Sequence, residues 1–262
     1  MGTMFDFLKR GGNGGEKERR GRTLEVGWVL QPDNATAIWF DPQQFRREGA
    51  QTPSSKAVQN CPAVLDYDSR HFVVPCPVDL NIGLARDKDG KVVLRNLDGA
   101  QSSVASSHLG KLVHLNSPGQ WRHPERPIIQ IGTPYRFIAD EPCYLNQLPP
   151  FLHYRRDPWP GVMIGGRFQL DVWPRIMMWA FEWMEPQKPL VLRRGEPMFY
   201  LRFEPGDDAS RPVRMVEAEW TPELANYVKS IDGVTNYVKR TFSLFPQAAK
   251  RRPKVLLKKR VR

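Results

Sequence analysis

Residues 176–183 read Ile-Met-Met-Trp-Ala-Phe-Glu-Trp, and all of them except Glu182 are apolar. A short apolar run of this length is consistent with a strand that packs other residues on both of its faces. Such a strand lies inside a sheet and not at its edge. We therefore predict that residues 176–183 form a central β-strand.

Short apolar segments separated by turn residues also fill the chain on either side of this run. Many short strands at such spacing are typical of a β-sandwich or barrel. The 24 prolines are roughly twice the usual share of about 5% and favour short strands joined by rigid loops. The predicted fold is mainly β, a jelly-roll-like antiparallel sandwich or barrel. Its later strands are predicted at 110–115, 128–131, 135–138, 143–148, 167–173, 176–183, 190–192 and 198–203.

One amphipathic helix is predicted near the C-terminus. Thr221 is a suitable N-cap, Pro222 suits the first turn, and Pro246 would end the helix. The apolar stripe at helical spacing is Leu224, Tyr227, Val228, Ile231, Val234 and Val238. The predicted organisation is a flexible leader at 1–22, a β-rich domain at 23–210, a linker and C-terminal helix at 211–246, and a basic tail at 247–262.

The positive charge of the chain is concentrated in this basic tail. The formal net charge is +11, and residues 250–262 hold eight basic residues and no acid, which leaves +3 for the rest. The tail can bind phosphates by charge and counterion release without reading sequence, because it has no aromatic residues for base stacking. A solvated end and an acidic protein surface are the alternatives. The anion-binding candidates are Lys250, Arg251, Arg252, Lys254, Lys258, Lys259, Arg260 and Arg262.

Four charged residues are embedded in the most apolar part of the chain. Glu182 lies between Phe181 and Trp183, where an unpaired carboxylate would be costly. We predict that Arg175, Arg193 or Arg194 pairs with it. A buried ion pair is favoured over an acid/base pocket. The candidates are Asp171, Arg175, Glu182 and Glu196.

A metal site is the rival hypothesis. His123-Pro124-Glu125 has the His-x-Glu spacing of an iron site, and His153 is a candidate third ligand. Two imidazoles and one carboxylate on one face would leave positions open for substrate. Pro124 and Pro127 make this segment a loop, so a surface turn is favoured over the iron site.

Sequence motifs of common enzymes are missing from the chain. It has no phosphate-binding loop followed by a helix and no nucleophile elbow. The three cysteines lack metal-site spacing, which favours a reducing compartment. No apolar run is long enough to span a bilayer. We expect a cytoplasmic protein without a cofactor and without membrane contact.

Several short motifs occur between residues 58 and 205. They are 60–63 (NCPA), 74–80 (VPCPVDL), 127–131 (PIIQI), 171–175 (DVWPR), 181–183 (FEW) and 194–199 (RGEPMF). In these motifs the chain resembles a family of bacterial and tailed-phage proteins of unknown function. That family carries no established activity, so the resemblance implies no catalytic residues.

Two functions follow from these observations. The first is a non-enzymatic binding or assembly module, encoded by a phage and present in the host cytoplasm or the virion. Its helix and tail would contact a protein partner, a second copy of the chain or non-specific nucleic acid. The alternative is an Fe-dependent jelly-roll enzyme that uses the His-x-Glu pair and the distant histidine.

Overall fold

A computed structural model of the protein describes residues 22–31, 37–47, 54, 56–232 and 239–261. The described part is mainly β, as predicted, and its strands form three sheets, none of which closes into a barrel. Apart from Arg22, the predicted leader lies outside the described residues.

The largest sheet is built around one long strand. Its order is β14 (Val213–Glu217), β1 (Leu24–Leu30), β7 (Ile128–Ile138), β11 (Ile176–Trp183) and β9 (Gly161–Ile164), with β6 (Val113–Leu115) also paired to β7. All pairs are antiparallel except β1 with β14. The strand predicted at 176–183 has a neighbour on each side, which confirms its central position.

Two smaller antiparallel sheets complete the β-structure. The five-stranded sheet has the order β10 (Gly166–Gln169), β8 (Cys143–Leu148), β13 (Pro197–Pro205), β3 (His71–Pro75) and β2 (Gln43–Gln44). The three-stranded sheet has the order β12 (Leu190–Leu192), β4 (Leu80–Arg86) and β5 (Val92–Asn96). Strand β2 is short and lies at an open edge, where it forms one wall of the groove described below.

Aromatic side chains from the predicted centre of the fold fill the main core. Trp179 and Phe181 stack at 5.4 Å between ring centres, and the ring of Trp159 meets both edge-on. Burying one such side chain stabilises the fold by roughly 1.5–3 kcal/mol. Gln147 of β8 donates from Nε2 to the carbonyl of Met178 in β11 (3.1 Å), which joins the two larger sheets through the core.

Several predicted strands differ from the structure in length. The strand predicted at 110–115 covers only Val113–Leu115, because Leu109–Leu112 form a short helix. Residues 128–131 and 135–138 belong to one strand, β7. The register of its pairing with β11 shifts between Ile176 and Met178, and the Thr133 hydroxyl donates to the Met177 carbonyl at this point (2.9 Å). The strand predicted at 167–173 ends at Gln169. There the backbone turns, and the Trp173 N–H donates to the Gln169 carbonyl (2.9 Å).

The described helices are α1 (Pro62–Ser69), α2 (Leu109–Leu112), α3 (Pro222–Ile231) and α4 (Phe245–Arg251), beside short 3₁₀ turns. The hydroxyl of Thr221 accepts a hydrogen bond from the Leu224 N–H (3.2 Å), so the N-terminus of α3 is capped as its sequence indicates. The prediction that this helix continues to Pro246 is wrong. Helix α3 stops at Ile231, and Pro246 lies in the first turn of α4. Positions 234 and 238 lie outside the described residues.

A buried arginine joins α3 to the large sheet. The Arg136 side chain is only 2% exposed, and its guanidinium donates to Asp232 at the end of α3 (2.6 Å), to the Pro174 carbonyl (3.0 Å) and to Gln31 (2.8 Å). Burial lowers the pKa of Arg136, and the charge of Asp232 opposes that shift. This network holds the helix against β7.

Candidate functional site

The four charged residues that are candidates for a buried ion pair or a pocket lie at three separate places. Glu182 is the most deeply buried, with its side chain 3% exposed, and its carboxylate pairs with Arg122. Arg122 comes from the turn that precedes β7, and it takes the place of the three arginines predicted as partners. The prediction of the partner is wrong, because the spacing along one strand does not reveal which loop folds over it.

Asp171 and Arg175 lie beyond the other end of β11. About 20 Å of extended chain separates Arg175 from Glu182. The Asp171 carboxylate accepts a hydrogen bond from the Cys143 N–H (3.4 Å), and burial raises its pKa. The Arg175 guanidinium lies 5.4 Å from the centre of the Phe168 ring, and burial lowers its pKa. These two residues are positioned to support the turn after β10.

Glu196 lies near a histidine that the sequence placed in another site. Its carboxylate pairs with Arg155, and the His153 Nε2 lies 3.9 Å from Oε2 of Glu196. Arg155 also donates to the Pro197 carbonyl (2.6 Å), and its guanidinium lies 4.1 Å from the ring centre of Trp159. These contacts of Arg155 therefore hold the loop that contains it.

The three predicted iron ligands do not converge. The Glu125 N–H donates to His123 Nδ1 (3.2 Å), as expected for a surface turn, while His153 lies beside Glu196. Across the described ranges, no three His, Cys, Asp or Glu side chains lie where they could hold one metal ion. The spacing of His123 and Glu125 is a local property of the sequence, but the fold places His153 in a different groove from that pair.

The described part of the basic tail packs against the body of the protein. Leu256 is buried, and Lys259 forms an antiparallel bridge with Ala218 beside β14. The Asp140 carboxylate accepts the backbone N–H of Leu256 (2.8 Å) and of Leu257 (3.2 Å). The alternative of a solvated end does not describe this segment, because the tail contains apolar residues that complete a second core cluster under α3.

Ion pairs with the body also occupy several of the predicted anion-binding residues of the tail. The pairs are Arg252–Asp140 (2.7 Å), Lys258–Glu219 (2.6 Å), Lys259–Glu25 (2.7 Å) and Arg260–Glu217 (2.7 Å). Lys250, Arg251 and Lys254 are exposed, and Arg262 lies outside the described residues. The charge available to a phosphate from this segment is thus smaller than the composition indicates.

A groove of about 950 Å³ runs along the open edge of the five-stranded sheet, and we call it the β2 groove. Residues of the β2 segment form one wall, the loop after β8 forms the other, and β3 and β13 form the floor. None of the described residues that line it is acidic. They are Gln43, Gln44, Phe45, Arg46, Arg47, Val73, Pro75, Leu152, His153, Tyr154, Gly195, Pro197 and Tyr200.

Two similar tripeptides contribute to this groove, which is lined by all three residues of the first and by Tyr154 of the second. Residues 45–47 read Phe-Arg-Arg and residues 154–156 read Tyr-Arg-Arg. In each, one arginine is held by an acid, since Arg47 makes a two-point ion pair with Asp68 (2.9 Å for each bond) and Arg155 pairs with Glu196. The repeated pattern is visible in the sequence and was missed, because nothing in it shows that the two segments, 109 residues apart, become neighbours.

The remaining arginines of these tripeptides are exposed. Arg46 lines the groove, and it has no ion-pair partner among the described residues. Arg156 follows the paired Arg155 and is also exposed. The paired arginines fix the loops, and the exposed arginines present charge to solvent.

Aromatic rings continue from the groove onto the neighbouring surface. Tyr200 in the floor contacts Phe45 (5.5 Å between ring centres) and Phe151 (5.6 Å), and Phe151 in turn contacts Tyr67 of α1 (6.3 Å). Tyr154 at the rim is 88% exposed. This site therefore combines cationic side chains with aromatic rings that are not fully buried.

A buried histidine supports the aromatic cluster from below. His71 Nδ1 lies 2.9 Å from the Tyr67 carbonyl, which requires the proton on Nδ1, and its Nε2 has no hydrogen-bond partner among the described residues. Burial lowers the pKa of His71 and so favours the neutral ring. His71 thus acts as an aromatic packing residue.

The cysteines offer one accessible thiol. Burial raises the pKa of Cys76 to about 11 and that of Cys143 to about 12, whereas Cys61 is exposed. Because the thiolate is the reactive form, we expect one of the three thiols to react rapidly with Ellman's reagent at pH 8 in the native protein. The other two should react only after unfolding. Rapid reaction of Cys61→Ser protein would contradict this assignment.

Comparison with known proteins found no relative of this chain. In the described part of the chain, no helix has the length and apolar character that crossing a membrane requires. No protein-family model, curated protein or solved structure matches the chain.

Proposed function

We propose that this protein is a non-enzymatic binding or assembly module that contacts an anionic partner through the β2 groove. The observation that carries the proposal is a groove whose described lining contains Arg46 and Arg47, has the exposed ring of Tyr154 at its rim, and has no acid. Uncompensated positive charge attracts and orients an anionic surface. No cofactor is part of this proposal.

The groove is a better contact surface than the helix or the tail that the sequence indicated. The apolar face of α3 is buried in the body, with Leu224 and Tyr227 in a core cluster. Carboxylates of the body already pair with most of the described cations of the tail. A partner at either place would first have to displace contacts that the protein makes with itself.

The wider setting of this module is also part of the proposal. A phage-encoded assembly protein with a jelly-roll arrangement, acting in the host cytoplasm or the virion, agrees with the family resemblance at 58–205. The partner is then a protein, a second copy or a nucleic acid. The iron-dependent alternative is not proposed further, because His153 lies away from His123 and Glu125.

Charge reversal at the groove tests this proposal. We expect Arg46→Glu to weaken binding of inorganic polyphosphate about tenfold at low salt. The variant loses an attraction of about 0.5–1 kcal/mol and gains a repulsion of about the same size. Fluorescence competition or calorimetry measures the change. Arg95→Glu on β5 is the matched control, since Arg95 is also exposed but lies in the three-stranded sheet.

A second variant distinguishes the groove from the tail. Replacing the exposed tail cations together, Lys250→Gln, Arg251→Gln and Lys254→Gln, should leave at least half of the binding free energy. If this triple variant abolishes polyphosphate binding and Arg46→Glu does not affect it, the tail is the contact and the proposal fails.

A further inference from the structure

We infer that the anionic partner of the β2 groove is a single-stranded nucleic acid, with phosphates along Arg46 and Arg47 and a base stacked on Tyr154. This inference rests on the proposed function and adds the chemical class of the partner.

The exposed rings distinguish a nucleic acid from other polyanions. Tyr154 stands at the groove rim with 88% of its surface exposed, and Phe151 at the adjoining cluster is 49% exposed. Stacking a base on an aromatic side chain is worth about 1–3 kcal/mol, and every base offers such a face. A polyanion without bases gains nothing from a ring left in water.

The size of the groove favours an extended ligand. Its volume of about 950 Å³ is near the upper limit of about 1,000 Å³ for sites that enclose a drug-sized molecule. A single phosphate ion would leave most of this space empty. The exposed rings of Phe151 and Tyr67 adjoin the groove through the contact of Phe151 with Tyr200 and offer a second aromatic surface to a longer strand.

The arrangement of the arginines fits a sugar-phosphate backbone. Arg47 is fixed by its two-point pair with Asp68, yet its side chain remains 42% exposed to a ligand. Arg46, which precedes Arg47 in the sequence, is exposed and also lines the groove. The amide of Gln43, also exposed in the wall, supplies both a donor and an acceptor for a base edge.

A duplex does not match these features. Its bases are stacked on each other and paired, so their faces are closed to Tyr154. Unpaired bases can stack on aromatic side chains while the backbone follows a cationic groove. Single strands are therefore favoured over duplexes, and sequence preference is expected to be weak.

Fluorescence anisotropy with a labelled oligothymidylate tests the inference on the full-length protein. Tyr154→Ala should weaken oligothymidylate binding about 5- to 100-fold and leave polyphosphate binding unchanged, because only the oligonucleotide stacks. Arg46→Ala should lower the slope of log affinity against log salt by about 1. The matched control is Ile38→Ala, which removes another highly exposed apolar side chain at a separate pocket.

The outcomes separate this inference from the proposed function. If polyphosphate binds in an Arg46-dependent way but Tyr154→Ala has no effect on oligothymidylate, the nucleic-acid inference is wrong and the anion-binding groove remains. Equal affinity for a duplex of the same length would also overturn it. If neither polyphosphate nor oligothymidylate binds, both proposals fail. Circular dichroism of each variant verifies that the fold is retained.

Discussion

Replacement of Arg136 by alanine is expected to lower the free energy of unfolding by about 2–4 kcal/mol. The guanidinium donates to Asp232, to the Pro174 carbonyl and to Gln31 from a site where the side chain is 2% exposed. Each hydrogen bond to a charged group contributes about 1.5–3 kcal/mol, and the desolvation of the buried charge offsets part of the total. The cavity left by the long side chain adds to the loss.

Urea denaturation and thermal melting measure this effect, and we expect the melting temperature to fall by roughly 5–15 °C. The matched control is Arg167→Ala, which removes an arginine paired with Glu204 on an exposed surface (3.1 Å). Such pairs contribute about 0–1 kcal/mol. Equal losses for the two variants would mean that Arg136 does not hold α3 to the sheet.

Replacement of Asp140 by alanine is expected to release the basic tail without unfolding the domain. Its carboxylate accepts the Arg252 guanidinium (2.7 Å) and the backbone N–H groups of Leu256 and Leu257. Loss of these charge-assisted bonds should lower the local opening free energy by about 1.5–3 kcal/mol. Trypsin cleavage after Lys254 or Lys258 should then become about 10- to 100-fold faster, since each 1.4 kcal/mol changes the open population tenfold.

Mass spectrometry of timed digests follows the release, and circular dichroism checks the body. Glu219→Gln is the control, because it removes a single exposed pair with Lys258 and leaves the backbone contacts intact. Cleavage in that variant should change less than fivefold. Unchanged cleavage of Asp140→Ala protein would show that the burial of Leu256 alone holds the tail.

The local patterns that predicted the fold correctly are those that depend on a few neighbouring residues. The apolar run at 176–183 predicted a central strand, and β11 has a partner on each side. Thr221 caps α3 as its side chain and position indicate. Such features depend on periodicity and on hydrogen bonds within one turn, so the sequence contains them in full.

The errors arise where residues far apart in sequence meet. Arg122 and Glu182 pair across 60 residues, and no pattern around either one identifies the other. The docking of the tail on Asp140 joins positions more than 110 residues apart. Charge composition made every cation of the tail a candidate for anion binding, because composition counts charges and does not show which carboxylates neutralise them.

The same distinction between local patterns and long-range contacts applies to the candidate site. The chemistry of each tripeptide, an aromatic ring followed by two arginines, is present in the sequence at 45–47 and 154–156. That Tyr154 lines the same groove as residues 45–47 depends on the pairing of β2 with β3 at the sheet edge and on the path of the loop after β8. Sequence alone determined a mainly β protein with an aromatic core, because alternation and apolar runs are local properties. Only the tertiary structure decided which charges are paired and which remain exposed, because long-range strand pairing sets the distances between them.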